Sequence, residues 1–110
     1  MDDYSIDYYS DAVIKDLDQW PLSLRVRYTK LVERMKIYGS NLGEPHTKAF
    51  GDGLFELRVK SDSGIGRVFY CTVIGKRIVM LHSFIKKTQK TPQKEIAIAV
   101  SRLKEIKNER

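Results

Sequence analysis

Residues 64–92 read GIGRVFYCTVIGKRIVMLHSFIKKTQKTP, and the way this stretch pairs with itself decides the fold. Arg67 to Ile74 is rich in β-branched and aromatic residues, and Arg77 to Ile85 is apolar again, so both halves predict strands. Gly75-Lys76 predicts a two-residue hairpin turn, with glycine first to supply the positive φ that so tight a reversal demands. An antiparallel pair joined so closely puts Arg67, near the start of one strand, at the same end as Lys86 and Lys87 of the other. Lys90 follows. Thr91-Pro92 then predicts a helix start, with Thr91 as cap and Pro92 in the first turn, where no amide partner is lost. A rigid hairpin with cations gathered on one sheet edge is the feature the rest of the chain must explain.

Upstream, Leu54 to Lys60 alternates: Phe55, Leu57 and Val59 on one face, Glu56, Arg58 and Lys60 on the other. That is a half-buried strand whose second face is polar. Asp62-Ser63-Gly64 with Gly66 is turn material, so three strands form a meander. The last is apolar on both faces, Ile78, Met80 and Phe84 against Val79, Leu81 and Ile85, as a central strand should be. Its missing neighbour is expected from Asp3 to Tyr9, where Tyr4, Ile6 and Tyr8 alternate with polar residues. Ser10 is a good N-cap for a helix carrying Val13, Leu17 and Trp20 on one face and ended or kinked at Pro21. A second helix runs from Leu22 or Ser23 to about Tyr38, with Leu24, Tyr28, Leu31, Val32 and Met35 inward and Gly39 as its stop. Its Arg25, Arg27, Lys30, Arg34 and Lys36 read as a solvated face. Residues 40–53 predict a loop holding His46 and Lys48, and a loop histidine is usually incidental. Ile96, Ala99, Val100, Leu103 and Ile106 stripe the last helix, and its KNER tail is expected to fray. The order is β-α-α-β-β-β-α, an α+β chain read as one domain over residues 1–110.

The net charge of +6 is unevenly spread. Residues 1–20 hold six Asp and one Lys, a net of −5, so the remaining ninety carry +11. A basic body with an acidic N-terminal segment fits a phosphate-rich partner, because neutralising phosphates releases condensed counterions. No apolar run approaches the roughly 20 residues a membrane span needs, and MDDYSID is not the start of a signal peptide, so a cytoplasmic protein without membrane contact is expected. The two histidines and one cysteine do not build a zinc site, and neither GxxxxGK[ST] nor GxGxxG occurs. Cys71, mid-strand, reads as an inert core thiol, and His82 as a partly buried, hydrogen-bonded histidine. What remains is the cationic set Arg58, Lys60, Arg67, Lys86, Lys87 and Lys90, with Phe69 on the face of Arg67 and Phe84 nearby. Cations beside exposed aromatics suit single-stranded RNA, through phosphate pairing and base stacking.

The segments GDGLFELR (51–58), GRVFY (66–70) and IVMLHSFIKKTQKTPQKEI (78–96) closely resemble the HigB-like branch of the RelE/HigB superfamily of bacterial and phage toxins. The resemblance covers essentially the whole chain. It implies a RelE-like fold: a small twisted, mainly antiparallel sheet with a helical hairpin on one face and a C-terminal helix. It also implies a toxin of a type II toxin–antitoxin system, a ribosome-dependent mRNA interferase that cuts the message in the A site and so halts translation and growth. In such an endoribonuclease the RNA's 2′-hydroxyl attacks the adjacent phosphate, leaving a 2′,3′-cyclic phosphate and a 5′-hydroxyl, with no metal or other cofactor. Carried onto this sequence, Arg67 matches the arginine that contacts the scissile phosphate, Arg58 a cation on the preceding strand, and Lys87 the cation just beyond the last strand. Lys48, Lys60, Phe69, Phe84, Lys86 and Lys90 are the expected RNA-binding residues. RelE carries a tyrosine in its C-terminal helix for proton transfer, whereas here no Tyr or His follows Lys87 and Gln93 or Lys94 falls near that place. The acid–base work then passes to a lysine such as Lys94 or to His82, or the chemistry rests on orientation and charge. The partners implied are a cognate antitoxin (a small helix-turn-helix protein), the ribosome with mRNA, and operator DNA through the antitoxin. The rival reading is a catalytically inactive relative that occupies RNA or the ribosome without cutting. A DNA-binding regulator would need a reading helix that the sequence does not show.

Overall fold

The computed structural model describes residues 3–87 and 90–108. Its elements are β1 (Ser5–Tyr8), α1 (Asp11–Asp18), α2 (Leu22–Tyr38), β2 (Thr47–Gly51), β3 (Leu54–Ser61), β4 (Gly64–Val73), β5 (Arg77–Lys86) and α3 (Gln93–Asn108). The strands form one sheet in the order β1-β5-β4-β3-β2, antiparallel throughout except for the parallel pair β1–β5. The α+β architecture is therefore as the sequence implies, and β5, apolar on both faces, is flanked by β1 and β4.

Strand alternation divides the core between the two faces of the sheet. Phe55, Leu57 and Val59 of β3, with Val68, Tyr70, Ile78 and Met80, pack against Val13, Leu17 and Trp20 and against Leu24, Tyr28, Leu31 and Met35 of α2. On the opposite face Leu54, Phe69, Cys71, Val73, Val79 and Leu81 meet Ala99 and Leu103 of α3, with Ile96, Val100 and Ile106 alongside. Fully burying one such side chain contributes about 1.5–3 kcal/mol, so each helical layer is held by apolar area rather than by polar links. Polar links fix its placement: His82 Nε2 and Glu95 Oε1 share a 2.6 Å hydrogen bond between β5 and α3. Among the described residues no helix is long and apolar enough to cross a membrane.

Several local expectations are corrected. Residues 47–51, read as loop, form β2, because the outer ladder of β3 would otherwise leave its N–H and C=O groups unpaired. The β4–β5 connection is a three-residue loop, with φ of 87° at Gly75 and 59° at Lys76. Ser10 makes no side-chain cap bond, and the Thr91 hydroxyl donates to the Glu56 carboxylate. Lys107 and Asn108 are still helical, and the last two residues of the tail lie outside the described ones. Gly66 belongs to β4 and not to a turn. The Trp20 ring lies so close over it that a Cβ there would stand 2.5 Å from Cη2 and Cζ3.

The alternation of β5 is broken as well. Met80 pairs with Tyr70 and His82 with Phe69, so Leu81 is an extra residue in a β-bulge. Ile78, Met80 and Ile85 pack on the α1–α2 side, whereas Val79, Leu81 and Phe84 pack on the α3 side. The Leu81 carbonyl accepts a 2.7 Å hydrogen bond from Arg102 Nη1 of α3, and that guanidinium also lies 4.7 Å from the Tyr9 ring centroid.

Candidate active site

Beyond the apolar rows that α3 covers, the same face of the sheet turns cationic. Arg58 of β3 stands directly opposite Arg67 of β4, which is opposite Phe84 of β5. The next row toward the sheet's end is Lys60, Ile65 and Lys86, and the row on the other side is Lys48, Glu56, Phe69 and His82. Like charges placed directly opposite each other across a sheet repel. Glu56 offsets this. Only 2% exposed, it accepts a hydrogen bond from Arg58 Nε at 3.3 Å and from the Thr91 hydroxyl at 3.4 Å, and its Oε2 lies 3.5 Å from Arg67 Nε.

Arg67 is held differently from Arg58. Its side chain is 11% exposed, and among the described residues its Nε makes no hydrogen bond despite the nearby carboxylate. At Nε it is charge and packing, not a hydrogen bond, that hold it against Glu56. Burial pushes its pKa below the ordinary arginine value, Glu56 works against that shift, and Arg58 adds to it. A guanidinium remains charged regardless. For Lys86 the effect bears on chemistry: burial first and Arg67 next lower its pKa, Glu56 opposes them, and Arg58 and Lys48 lower it further.

The backbone N–H of Arg58 donates to the His46 carbonyl at 2.8 Å, which draws the segment before β2 over the row of arginines. That segment is fixed in turn by the Gly43 N–H, which donates to Thr47 Oγ1 at 2.9 Å and to Asn41 Oδ1 at 3.0 Å. The result is a cleft of about 710 Å³ lined by Arg27, Pro45, His46, Arg58, Lys60, Ile65, Arg67, Lys86 and Lys87. Such a wall of cations fits a phosphodiester, and planar guanidiniums can meet its non-bridging oxygens two at a time. Among the described residues no three His, Cys, Asp or Glu side chains converge as metal ligands.

Residues 15–104 match the family described as phage derived protein Gp49-like (DUF891). The chain belongs to that family. Its fold also matches a chain from the crystal structure of the archaeal RelE–RelB complex of Pyrococcus horikoshii OT3. That match has a TM-score of 0.57 and 20% identity, and covers 77% of this chain and 96% of that one. The Gp49-like chain therefore has a RelE-like fold. A search of curated proteins returns no match.

Within this Gp49-like fold, Arg58, Arg67 and Lys87 do line one cleft, and Lys60 and Lys86 line it with them. Lys48 is exposed on β2 beside Glu56, its ammonium 5.6 Å from the Phe50 ring. Lys90 and Lys94 are exposed and are not among the lining residues. Four expectations change. Arg67 is not at a sheet edge but in the middle strand, and is mostly buried. Phe69 is fully buried beneath Phe50 and Phe84, so its ring presents no face for a base. Phe84, half-buried and stacked between Phe69 and His82, is the aromatic that borders Arg67. His82 is tied to Glu95 and lies outside the cleft wall, whereas His46, passed over as a loop residue, is part of it. Glu56 and Arg27 were also missed. Glu56 carried a signal, as the one anion in phase with Arg58 and Lys60; Arg27 carried none apart from the other cations of α2.

Proposed function

We propose that this chain is the toxin of a toxin–antitoxin pair, of the HigB-like branch, and that it cuts messenger RNA on the ribosome in the cationic cleft. The observation that carries this reading is the convergence of Arg58, Arg67, Lys86 and Lys87 on one face of a RelE-like sheet. In-line attack of a 2′-hydroxyl on the adjacent phosphate builds negative charge on the non-bridging oxygens, and fixed guanidiniums in a partly desolvated cleft stabilise that charge. Arg67 is the principal phosphate contact, Arg58 its companion, and Lys60 and Lys87 hold the flanking backbone. Lys86, its ammonium form disfavoured by burial and by its neighbours, takes the 2′-hydroxyl proton. His46 is the second group in the cleft wall able to move a proton. Phe84 stacks on a base. An antitoxin partner is supported by the RelE–RelB assembly of the structural relative, and a complementary acidic segment would neutralise this cleft.

The test is purified protein added to ribosomes translating a defined message, with the ends of the products analysed. Cleavage is expected to leave a 2′,3′-cyclic phosphate, to stop when the nucleotide at the cut is 2′-deoxy, and to survive EDTA once magnesium sufficient for ribosome integrity is restored. Binding to the programmed ribosome without cutting would instead establish the inactive-relative reading. Cleavage of the deoxy message would refute the 2′-hydroxyl mechanism.

A further inference from the structure

A carboxylate in the floor of a phosphate-binding cleft needs a reason, because it repels the ligand the cleft is built for. Glu56 is 2% exposed, so its charge is uncompensated by water and depends on its neighbours. One oxygen takes the Nε–H of Arg58 at 3.3 Å. The other takes the Thr91 hydroxyl at 3.4 Å and lies 3.5 Å from Arg67 Nε without accepting a hydrogen bond from it. Glu56 thus attracts both guanidiniums while occupying a single guanidinium N–H. Among the described residues Arg67 Nε donates no hydrogen bond.

We infer that Glu56 is a positioning residue, a buried counter-ion that sets the spacing and aim of the Arg58–Arg67 pair toward the scissile phosphate. It touches no substrate. Two opposed guanidiniums would otherwise drift apart, since like charges facing each other across a sheet are mutually destabilising. A displacement of about 1 Å at a catalytic group is enough to cost around a hundredfold in rate. Thr91, just before α3, fixes the second oxygen, so the carboxylate is held from both sides: by the sheet and by the chain entering the last helix. The inference rests on the cleft being an RNA-cleaving site, and it assigns a role that charge alone would not. Removing an anion from a cationic cleft should strengthen RNA binding. Removing a positioning group should slow the chemistry.

The experiment separates the two. Glu56→Gln and Glu56→Asp are compared with the wild-type protein in single-turnover cleavage and in RNA binding, with thermal unfolding of each recorded. Glu56→Gln is expected to lower the cleavage rate constant tenfold or more while RNA affinity stays equal or rises. Glu56→Asp, which keeps the charge one methylene further back, should fall in between. A merely structural role would lower activity only in proportion to the folded fraction and would leave the rate constant of the folded protein alone. Wild-type rate in Glu56→Gln, or weakened affinity with an unchanged rate, overturns the inference. Should Glu56→Gln not fold, Glu56→Asp decides, and a wild-type rate there overturns it equally. If the wild-type protein itself cuts no RNA, the cleavage reading falls and takes this one with it. If the wild type cuts and the variants match it, only the role of Glu56 is lost.

Discussion

Replacing Arg67 by alanine is expected to have two separable effects, because this side chain is both cleft wall and counter-ion. Its 11% exposure and its 3.5 Å approach to Glu56 make it part of a buried charge cluster. Removing one partner of a buried pair costs about 3–5 kcal/mol when the survivor is left alone. Here Glu56 keeps Arg58 at 3.3 Å and Thr91 at 3.4 Å, so a loss of about 1–3 kcal/mol is expected instead. Urea unfolding followed through Trp20, the single tryptophan and buried, measures it. The cleavage rate should drop by roughly a hundred- to a thousandfold, as for loss of one preorganised donor to a developing oxyanion. The double variant Glu56→Gln with Arg67→Ala removes the stranded charge. It should recover about 1 kcal/mol relative to Arg67→Ala alone, a coupling typical of residues in contact, while cleavage stays lost. Two results would refute the reasoning. If the double variant is no more stable than the single one, the ion pair does not carry the stability assigned to it. If the double variant regains activity, Arg67 acted through the fold and not on the phosphate.

Gly66→Ala would set a methyl 2.5 Å from the Trp20 ring, and should destabilise the protein by about 1–3 kcal/mol in urea unfolding; a change within about 0.5 kcal/mol would mean that the indole yields freely. Lys86, whose folded pKa lies below its ordinary value of 10.5, sheds its proton first in the native state, so the unfolding free energy should rise as pH climbs toward 10.5. Lys86→Met should flatten that rise, and an undiminished rise would assign it to another group. His82→Gln should lower stability by weakening the tie to Glu95 yet leave the pH dependence of cleavage unchanged; a shifted profile would restore His82 as the proton-transfer group.

The parts of this molecule legible in the sequence are those fixed by short-range geometry. The phase of Leu54 to Lys60 could be read because a strand has a period of two, and Phe55, Leu57 and Val59 all pack on the α1–α2 side. The convergence of Arg58, Arg67, Lys86 and Lys87 could be read because tight turns leave the register of a meander little freedom. What was not legible depends on who covers whom. Glu56 and Phe69 share a row, and both look like solvent-facing residues until Phe50, Phe84 and the entry to α3 close over them. His46 joins the cleft through hydrogen bonds of Gly43, Thr47 and the Arg58 amide, which no spacing announces. A strand apolar on both sides gives no hint of a bulge, because an extra leucine alters no polarity pattern.

That extra leucine divides β5 by parity. Before it, the odd positions Val79 and Leu81 belong to the α3 side; after it, the even positions His82 and Phe84 do, and Lys86 with them. The insertion works like a frameshift within a strand, and Arg102 of α3 holds the Leu81 carbonyl at the point where it occurs. Deleting Leu81 would leave the charge untouched. It would also restore plain alternation: Met80 and His82 already face the adjacent residues Tyr70 and Phe69, so Phe84 and Lys86 would keep their side and Ile85 would stay toward α1–α2. A single deletion should therefore be tolerated at Leu81, whereas one elsewhere in this strand would turn the residues beyond it to the wrong face of the sheet.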